Sequence, residues 1–478
     1  MKNITNQFIE KKDILCIKKE TIKNFMRNFH KLISQDRIDE IARETKFIQR
    51  NSKKITSNVF FDLAVFDDKN ICTESLEQLS THLLKTKNIA ITSQALDERF
   101  NHKFVKFLKK IFQEILLLRT AELFSNFLNT KFLSYFNKIL ITDASTAELS
   151  NNCKNIFQGY SGSAAESAVK LQLTYDLKSG NVVLADVGDV KTSDGGYLPF
   201  LDKIIEKNDL VIRDLGYFSI KNFDLLNEKE AFYLSRLKVS TVVYVLNPNP
   251  DTFETGNIKK NSEYIKLDLA TEAKALKPKE IKDIEVFVGE QKVKTRLILC
   301  KLPEEAVAKK LAHQKVVARK KQITISSKSI DLSVVNIYIT NVSADILPKE
   351  NIYLIYTLRW QIEIIFKILK SVFNFDKVKT VKPERILCHL YSTLIKIMLS
   401  FKIVFCIRNL MYSYGSKEIS EYKAFKIIHS FLGEIKDALF YSTSKLKTVF
   451  GKIIDSIISN GMKSKNKNKV TSLEILNL

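Results

Sequence analysis

Three carboxylates lie far apart in the chain, each where it could do chemistry: Asp143 closes the apolar run ILITD, Asp214 closes LVIRD, and Glu363 sits within YTLRWQIEIIFKILKS, Tyr356 to Ser371. Taken as one helix with Tyr356 at zero, the last stretch places Arg359, Glu363 and Lys370 at about 300°, 340° and 320°. Ile355, Leu358, Ile362, Ile365, Phe366, Leu369 and Phe373 fill the adjoining arc, as on a helix docked against a core. On this stretch alone, a merely solvated charged edge is the alternative. If two strand ends and this helix edge converge, the crowded carboxylates repel one another unless cations are bound. Hard divalent ions, Mg²⁺ or Mn²⁺, accept oxygen donors and leave positions open for water or phosphate oxygens. Two ions about 4 Å apart could serve in-line phosphoryl transfer, one activating the attacking oxygen and one stabilising the leaving oxygen. Arg359 and Lys370 would then hold backbone phosphates, and Tyr356 would donate to another phosphate oxygen. Trp360, the only tryptophan, is read either as a platform for an unpaired base or as a core or lid residue. Lys367 is read as a surface partner of Glu363.

The elements that must position these groups follow from periodicity. From Ile139 the period is two: ILITDAST, VKLQLTYDL, the turn KSGN and VVLADV predict three strands, with a hairpin between the last two. GGYLPFLDKIIEKND then reads as a helix, LVIRD as a fourth strand, and LLNEKEAFYLSRLK as a helix and a fifth strand. That order predicts a ribonuclease H-like α/β domain with a mixed sheet. Residues 239–349 form a strand-rich tract, TVVYVLN, YIKLDL, EVFVGE, TRLILCKL, QITISS and SVVNIYITNV, crossed by the basic run KKLAHQKVVARKKQ.

Upstream, 1–70 reads as short basic helices, and ESLEQLSTHLLKT followed by QALDERFNHKFVKFLKKIF reads as a helix-turn-helix over about 75–108. Its second helix would present Gln94, Glu98 and Asn101 outward, with Arg99 and Lys103 near phosphates; two packed helices with no groove duty are the alternative. The segment from about Lys379 is helical and basic, and MKSKNKNKV reads as a low-complexity arm. The domains are therefore 1–135, a helical DNA-binding region; 136–238, the first part of the catalytic domain; 239–349, a β-rich insertion; 350–378, the glutamate helix; and 379–478, a helical basic region.

Composition agrees with a polyanionic partner. The chain has 478 residues, 45% of them hydrophobic, and 76 Lys+Arg against 53 Asp+Glu give a net charge of +23. A membrane surface is also anionic, but HLYSTLIKIMLSFKIVFCIRNL is interrupted by Lys396, Lys402 and Arg408, so it is read as a buried helix or a subunit contact rather than a bilayer span. The first residues lack a signal-peptide core, which predicts a cytosolic protein. Six scattered cysteines without a CxxC pair predict reduced thiols, neither a disulfide frame nor a zinc cluster.

The spacing of Tyr356, Arg359, Glu363 and Lys370 resembles the YREK signature of DDE transposases of insertion-sequence family four. ITDAST, IRDLGYFS and FYLSRLK resemble that family's first-aspartate, second-aspartate and fifth-strand blocks, in the right order. The resemblance runs from about Ser75 to Lys382 and includes SQALDERFN, similar to a DNA-binding segment of one subgroup. It implies metal ligation by Asp143, Asp214 and Glu363, and contacts from Tyr356, Arg359, Lys370 and Arg236 to terminal phosphates. It implies cleavage of double-stranded DNA at the terminal inverted repeats of a mobile element, using two Mg²⁺ or Mn²⁺ ions, and joining of the freed 3′ ends to target DNA. A homodimer bridging two ends is expected, with the apolar helix around Leu390 to Met411 as its contact, in a bacterial cytosol, on the nucleoid when DNA-bound. The rival readings are a structure-directed nuclease of the same fold and an inactive DNA-binding regulator.

Overall fold

A computed structural model describes residues 30, 33–50, 55–117, 131–160, 165–194, 202–413, 418–441, 443–464 and 470–476. The strands form a mixed sheet of ten in the order β3-β2-β1-β4-β5-β10-β9-β8-β6-β7. The chain divides into two compact units, one of Met1–Asn129, Ala144–Thr192 and Gln361–Leu473, the other of Thr130–Asp143, Ser193–Trp360 and Glu474–Leu478. Strand β1 (Ile139–Leu149) passes from the second into the first.

In the second unit, β1 pairs parallel with β4 (Leu210–Arg213), and β4 pairs parallel with β5 (Phe232–Arg236). With β2 (Ser167–Asp176) and β3 (Asn181–Asp189) in the first unit, this is the strand order 3-2-1-4-5 expected of the ribonuclease H-like class. The strand-rich tract does not make a separate sheet. Its last strand, β10 (Val335–Thr340), pairs antiparallel with β5, and β9 (Val293–Lys301), β8 (Ile281–Val288), β6 (Val243–Leu246) and β7 (Tyr264–Lys266) continue outward from it. QITISS is not a strand. Gln322 takes the left-handed conformation that ends the helix Glu304–Lys321, and the Ser326 hydroxyl accepts from the Ser329 amide at 3.2 Å to cap the next helix. Serines that satisfy helix amides are lost to a strand ladder.

The helix expected over GGYLPFLDKIIEKND is also absent where it is described: residues 195–201 lie outside the described residues, and 202–209 form turns. Instead, the buried Asp209 carboxylate accepts from Lys138 Nζ at 3.1 Å and the Glu206 amide at 2.9 Å, fixing the approach to β4. Asn341 plays the matching part for β5. Its side-chain oxygen accepts from the Tyr233 amide at 2.8 Å, and its Nδ2 donates to Ala231 O at 2.8 Å and Asn227 Oδ1 at 2.9 Å. Asn341→Ala leaves these partners short of a hydrogen bond inside the protein, so a loss of about 2 kcal/mol in stability is expected. A denaturant midpoint equal to the parent's would refute that role.

In the first unit, β2 and β3 form the expected hairpin, with Gly180 at φ +72 in its turn and the Phe405 ring occupying the space a Cβ would need. The helix Pro383–Ser413 is packed over its described apolar stretch within Pro383–Arg408, where Leu390, Leu394, Ile397 and Val404 are fully enclosed. Phe112 of the helix His102–Leu117 and Tyr175 of β2 meet Tyr391 and Phe405 at ring separations of 6.1 and 5.5 Å. Two of its three interrupting cations are held too, Lys402 by Asn181 Oδ1 at 3.2 Å and Arg408 by Tyr175 Oη and Leu177 O, both at 3.0 Å. Leu390, Leu394, Ile397 and Val404 of the stretch expected to contact a second subunit are thus covered within the chain.

Nor is the second DNA-reading helix continuous. Thr92 caps Ser93–Arg99, the chain breaks at Phe100, and Asn101 starts a new helix by accepting from the Lys103 and Phe104 amides at 2.9 and 3.2 Å. The basic helices expected within residues 1–29, and residues 465–469 of the low-complexity arm, lie outside the described residues.

Candidate active site

The parallel register of β1 with β4 ends at Thr142 opposite Arg213, so Asp143 and Asp214 come next on neighbouring chains. Strands lie about 4.8 Å apart, which brings the two carboxylates to one place. Asp214 stands where β4 gives way to a short 3₁₀ turn, Leu215–Tyr217. Asp143, expected at a strand end, lies inside one, because β1 continues to Leu149. Thr142, Arg213 and Ser235, paired across β1, β4 and β5, are all buried. Strand alternation turns the two aspartates to the other face.

The stretch read as one helix from Tyr356 to Ser371 is two, Ile352–Thr357 and Trp360–Ser371. Between them the Leu358 and Arg359 amides donate three residues back, to Ile355 and Tyr356 carbonyls, both at 3.1 Å. This tighter turn removes the straight edge and gives Arg359 another direction. Its guanidinium, 7% exposed as a residue, lies between the aspartates: Nη1 is 3.7 Å from Asp143 Oδ2 and Nε is 3.9 Å from Asp214 Oδ1. Tyr356, also buried, donates its hydroxyl to Asp214 Oδ1 at 3.4 Å and tilts against the Tyr338 ring at 5.1 Å. Burial, then the Asp214 charge, pushes the Tyr356 hydroxyl well above its ordinary pKa, so it stays a proton donor at neutral pH.

Arg236 ends β5 in register with Tyr338; burial raises the Tyr338 hydroxyl well above its ordinary pKa, and the Arg236 charge offsets a small part of the rise at Tyr338 and Tyr356. Trp360 is 56% exposed, with the Arg359 guanidinium 5.3 Å from its ring; this exposure removes the core alternative. The second unit thus gathers Asp143, Asp214, Tyr356, Arg359, Arg236 and Trp360 within its own bounds.

In the first unit, Glu363 occupies the first turn of Trp360–Ser371 and is half-buried. Lys370, in the last turn, donates to the Thr146 carbonyl of β1 at 2.9 Å, so part of its work is to fasten the helix to that strand. Lys367 lies 5.1 Å from the Tyr422 ring. Of the DNA-reading candidates, Gln94 is exposed and reaches Glu98 at 3.5 Å, Arg99 is half-buried, and Asn101 is spent as a helix cap, its Nδ2 donating to Glu98 O at 2.8 Å.

Two features escaped sequence reasoning. Arg213, next to Asp214, is 3% exposed, and burial lowers it to about 10; an arginine inside an apolar strand run was the signal. Asp67, Asp68 and His82 also bring their donor atoms within 4.8 Å of one another, with His82 Nε2 2.7 Å from Asp67 Oδ1.

Residues 134–399 match the family model described as the transposase DDE domain. The chain belongs to the DDE transposase family. It is 36% identical over 447 residues to the transposase for insertion sequence element IS1151 of Clostridium perfringens, covering 92% of this chain and 93% of the relative. It is 33% identical over 465 residues to the transposase for IS231F of Bacillus thuringiensis subsp. israelensis, covering 96% and 95%. A piggyBac transposase solved as a synaptic complex with hairpin DNA aligns over 93% of this chain and 86% of its own, at TM-score 0.44 and 10% identity. The family read from the aspartate blocks and the Tyr356, Arg359, Glu363, Lys370 spacing is borne out. Membership makes DNA cleavage and transfer the general activity, with DNA as the partner.

Proposed function

We propose that this DDE transposase binds the terminal inverted repeats of its element, hydrolyses the phosphodiester at each end, and joins the freed 3′ hydroxyls to target DNA. The observation that carries the reading is the pair of aspartates set side by side by β1 and β4 and bridged by Arg359. Two carboxylates at adjoining positions form a hard oxygen donor set of the kind Mg²⁺ or Mn²⁺ takes, and that they hold a cation between them supports the fit. Asp143, Asp214 and Glu363 would hold two such ions, which when bound supply activation of the attacking oxygen and stabilisation of the leaving one.

The other side chains act on position and charge. Arg359 places its positive charge between both aspartates, and its planar fork is of the kind that suits a DNA backbone phosphate. Tyr356 orients Asp214. Arg236 and Lys370 add positive charge along the backbone path, and the exposed Trp360 ring offers a stacking surface for an unpaired base. Gln94 and Arg99 contact DNA from the helix Ser93–Arg99, and a homodimer assembled on DNA pairs the two ends.

The test is a reaction of the full chain with paired element-end fragments, a target plasmid and Mg²⁺. Joined products that vanish with EDTA are expected. Cleaved ends that never join would leave a structure-directed nuclease in place of this reading.

A further inference from the structure

The helix Glu304–Lys321 turns an unusual face to solvent. Its inner side is docked: Lys310 Nζ donates to Val335 O at 2.7 Å, Gln314 Oε1 accepts from Ser333 Oγ at 3.1 Å, and Ala318 is buried. On the outer side Lys309, His313, Val316 and Lys320, spaced by four, three and four residues, form one line, flanked by Arg319. All five are exposed, Val316 at 53%. None of Lys309, Arg319 and Lys320 forms an ion pair among the described residues. Helix-dipole complementarity accounts for cations in the last turn, but not for Lys309, in the first half of the helix and on the same line.

We propose that this face is a docking track for the phosphate backbone of double-stranded DNA, read without regard to sequence. The inference rests on the reading above that the chain acts on DNA, and adds a second, non-catalytic contact in the tract between β9 and β10. The line from Lys309 to Lys320 is about 16 Å long at 1.5 Å per residue, and duplex DNA carries one charge per about 1.7 Å of axis. One helix face therefore meets several phosphates. Glu304 and Glu305, in the first turn, repel the same backbone and confine the track to the middle and C-terminal turns.

The experiment measures binding of the full chain to a random-sequence duplex in EDTA as a function of salt. For Lys309→Ala/Arg319→Ala/Lys320→Ala, the slope of log affinity against log salt should fall by about 2 to 3, since each phosphate contact contributes roughly 0.9, and affinity in low salt should drop about tenfold or more. An independent measurement on the parent chain, acetylation of Lys309 and Lys320 read by mass spectrometry, should be slowed severalfold by the duplex. An unchanged slope, equal labelling with and without DNA, or protection by anionic phospholipid vesicles but not by duplex would each overturn the proposal. A chain that binds duplex through this face yet never joins ends would refute only the transposition reading. One that joins ends while the variant keeps its salt slope would refute only this one.

Discussion

Asp143→Ala should abolish DNA cleavage while leaving binding to element ends within about threefold of the parent. The carboxylate is one of two that β1 and β4 set side by side, and as a ligand in the proposed site its loss would remove several kcal/mol of charge stabilisation from the reaction. About 4 kcal/mol corresponds to roughly 10³-fold in rate. Binding should survive because end recognition draws on cationic side chains elsewhere in a chain of net charge +23. The residue is half-buried, so circular dichroism must first show the fold intact. Parallel nicking and gel-shift assays then decide: residual cleavage above about a tenth of the parent rate excludes Asp143 as a metal ligand.

Arg359→Ala should separate two properties that usually fall together, raising Mg²⁺ affinity while lowering cleavage. The guanidinium, 3.7 Å from Asp143 and 3.9 Å from Asp214, would compete with a cation at the site proposed there. Separations this long, beside an Asp214 side chain 44% exposed, mark a modest attraction of about 0.5 to 1 kcal/mol. Its removal should tighten Mg²⁺ binding about two- to fivefold by calorimetric titration. Cleavage should nevertheless fall about 100-fold, because the same fork is lost from the phosphate. Arg359→Lys keeps the charge without the planar geometry and should fall between. Weaker Mg²⁺ binding in the alanine variant, with cleavage intact, would show the arginine to be purely structural.

How far the sequence reached is clearest around these residues. ILITD and LVIRD were legible as strands because their apolar runs are short, and the parallel pairing that juxtaposes their aspartates follows from the element order. The break before Trp360 was not legible. Neither Leu358 nor Arg359 is a helix breaker, and local preference favours continuing; the tighter turn places Arg359 between carboxylates contributed by distant segments. Asn101 is different: an asparagine before a periodic run is a local start signal, overlooked because Phe100 and Phe104 keep the apolar spacing intact across the break. QITISS shows the converse, an alternating run outweighed by serine hydroxyls that serve a helix. The continuation of the sheet through β10 could not be read from strand patterns, since a strand's sequence does not name its neighbour.

That continuation bears on how such elements decay. Internal deletions that remove β6 to β9 would strip β10 of its outer partner and expose six residues of unpaired backbone along Val335–Thr340. Bare strand margins recruit other chains. A shortened copy of this gene should therefore yield insoluble protein, eliminating its product before it could compete with intact molecules for the same DNA.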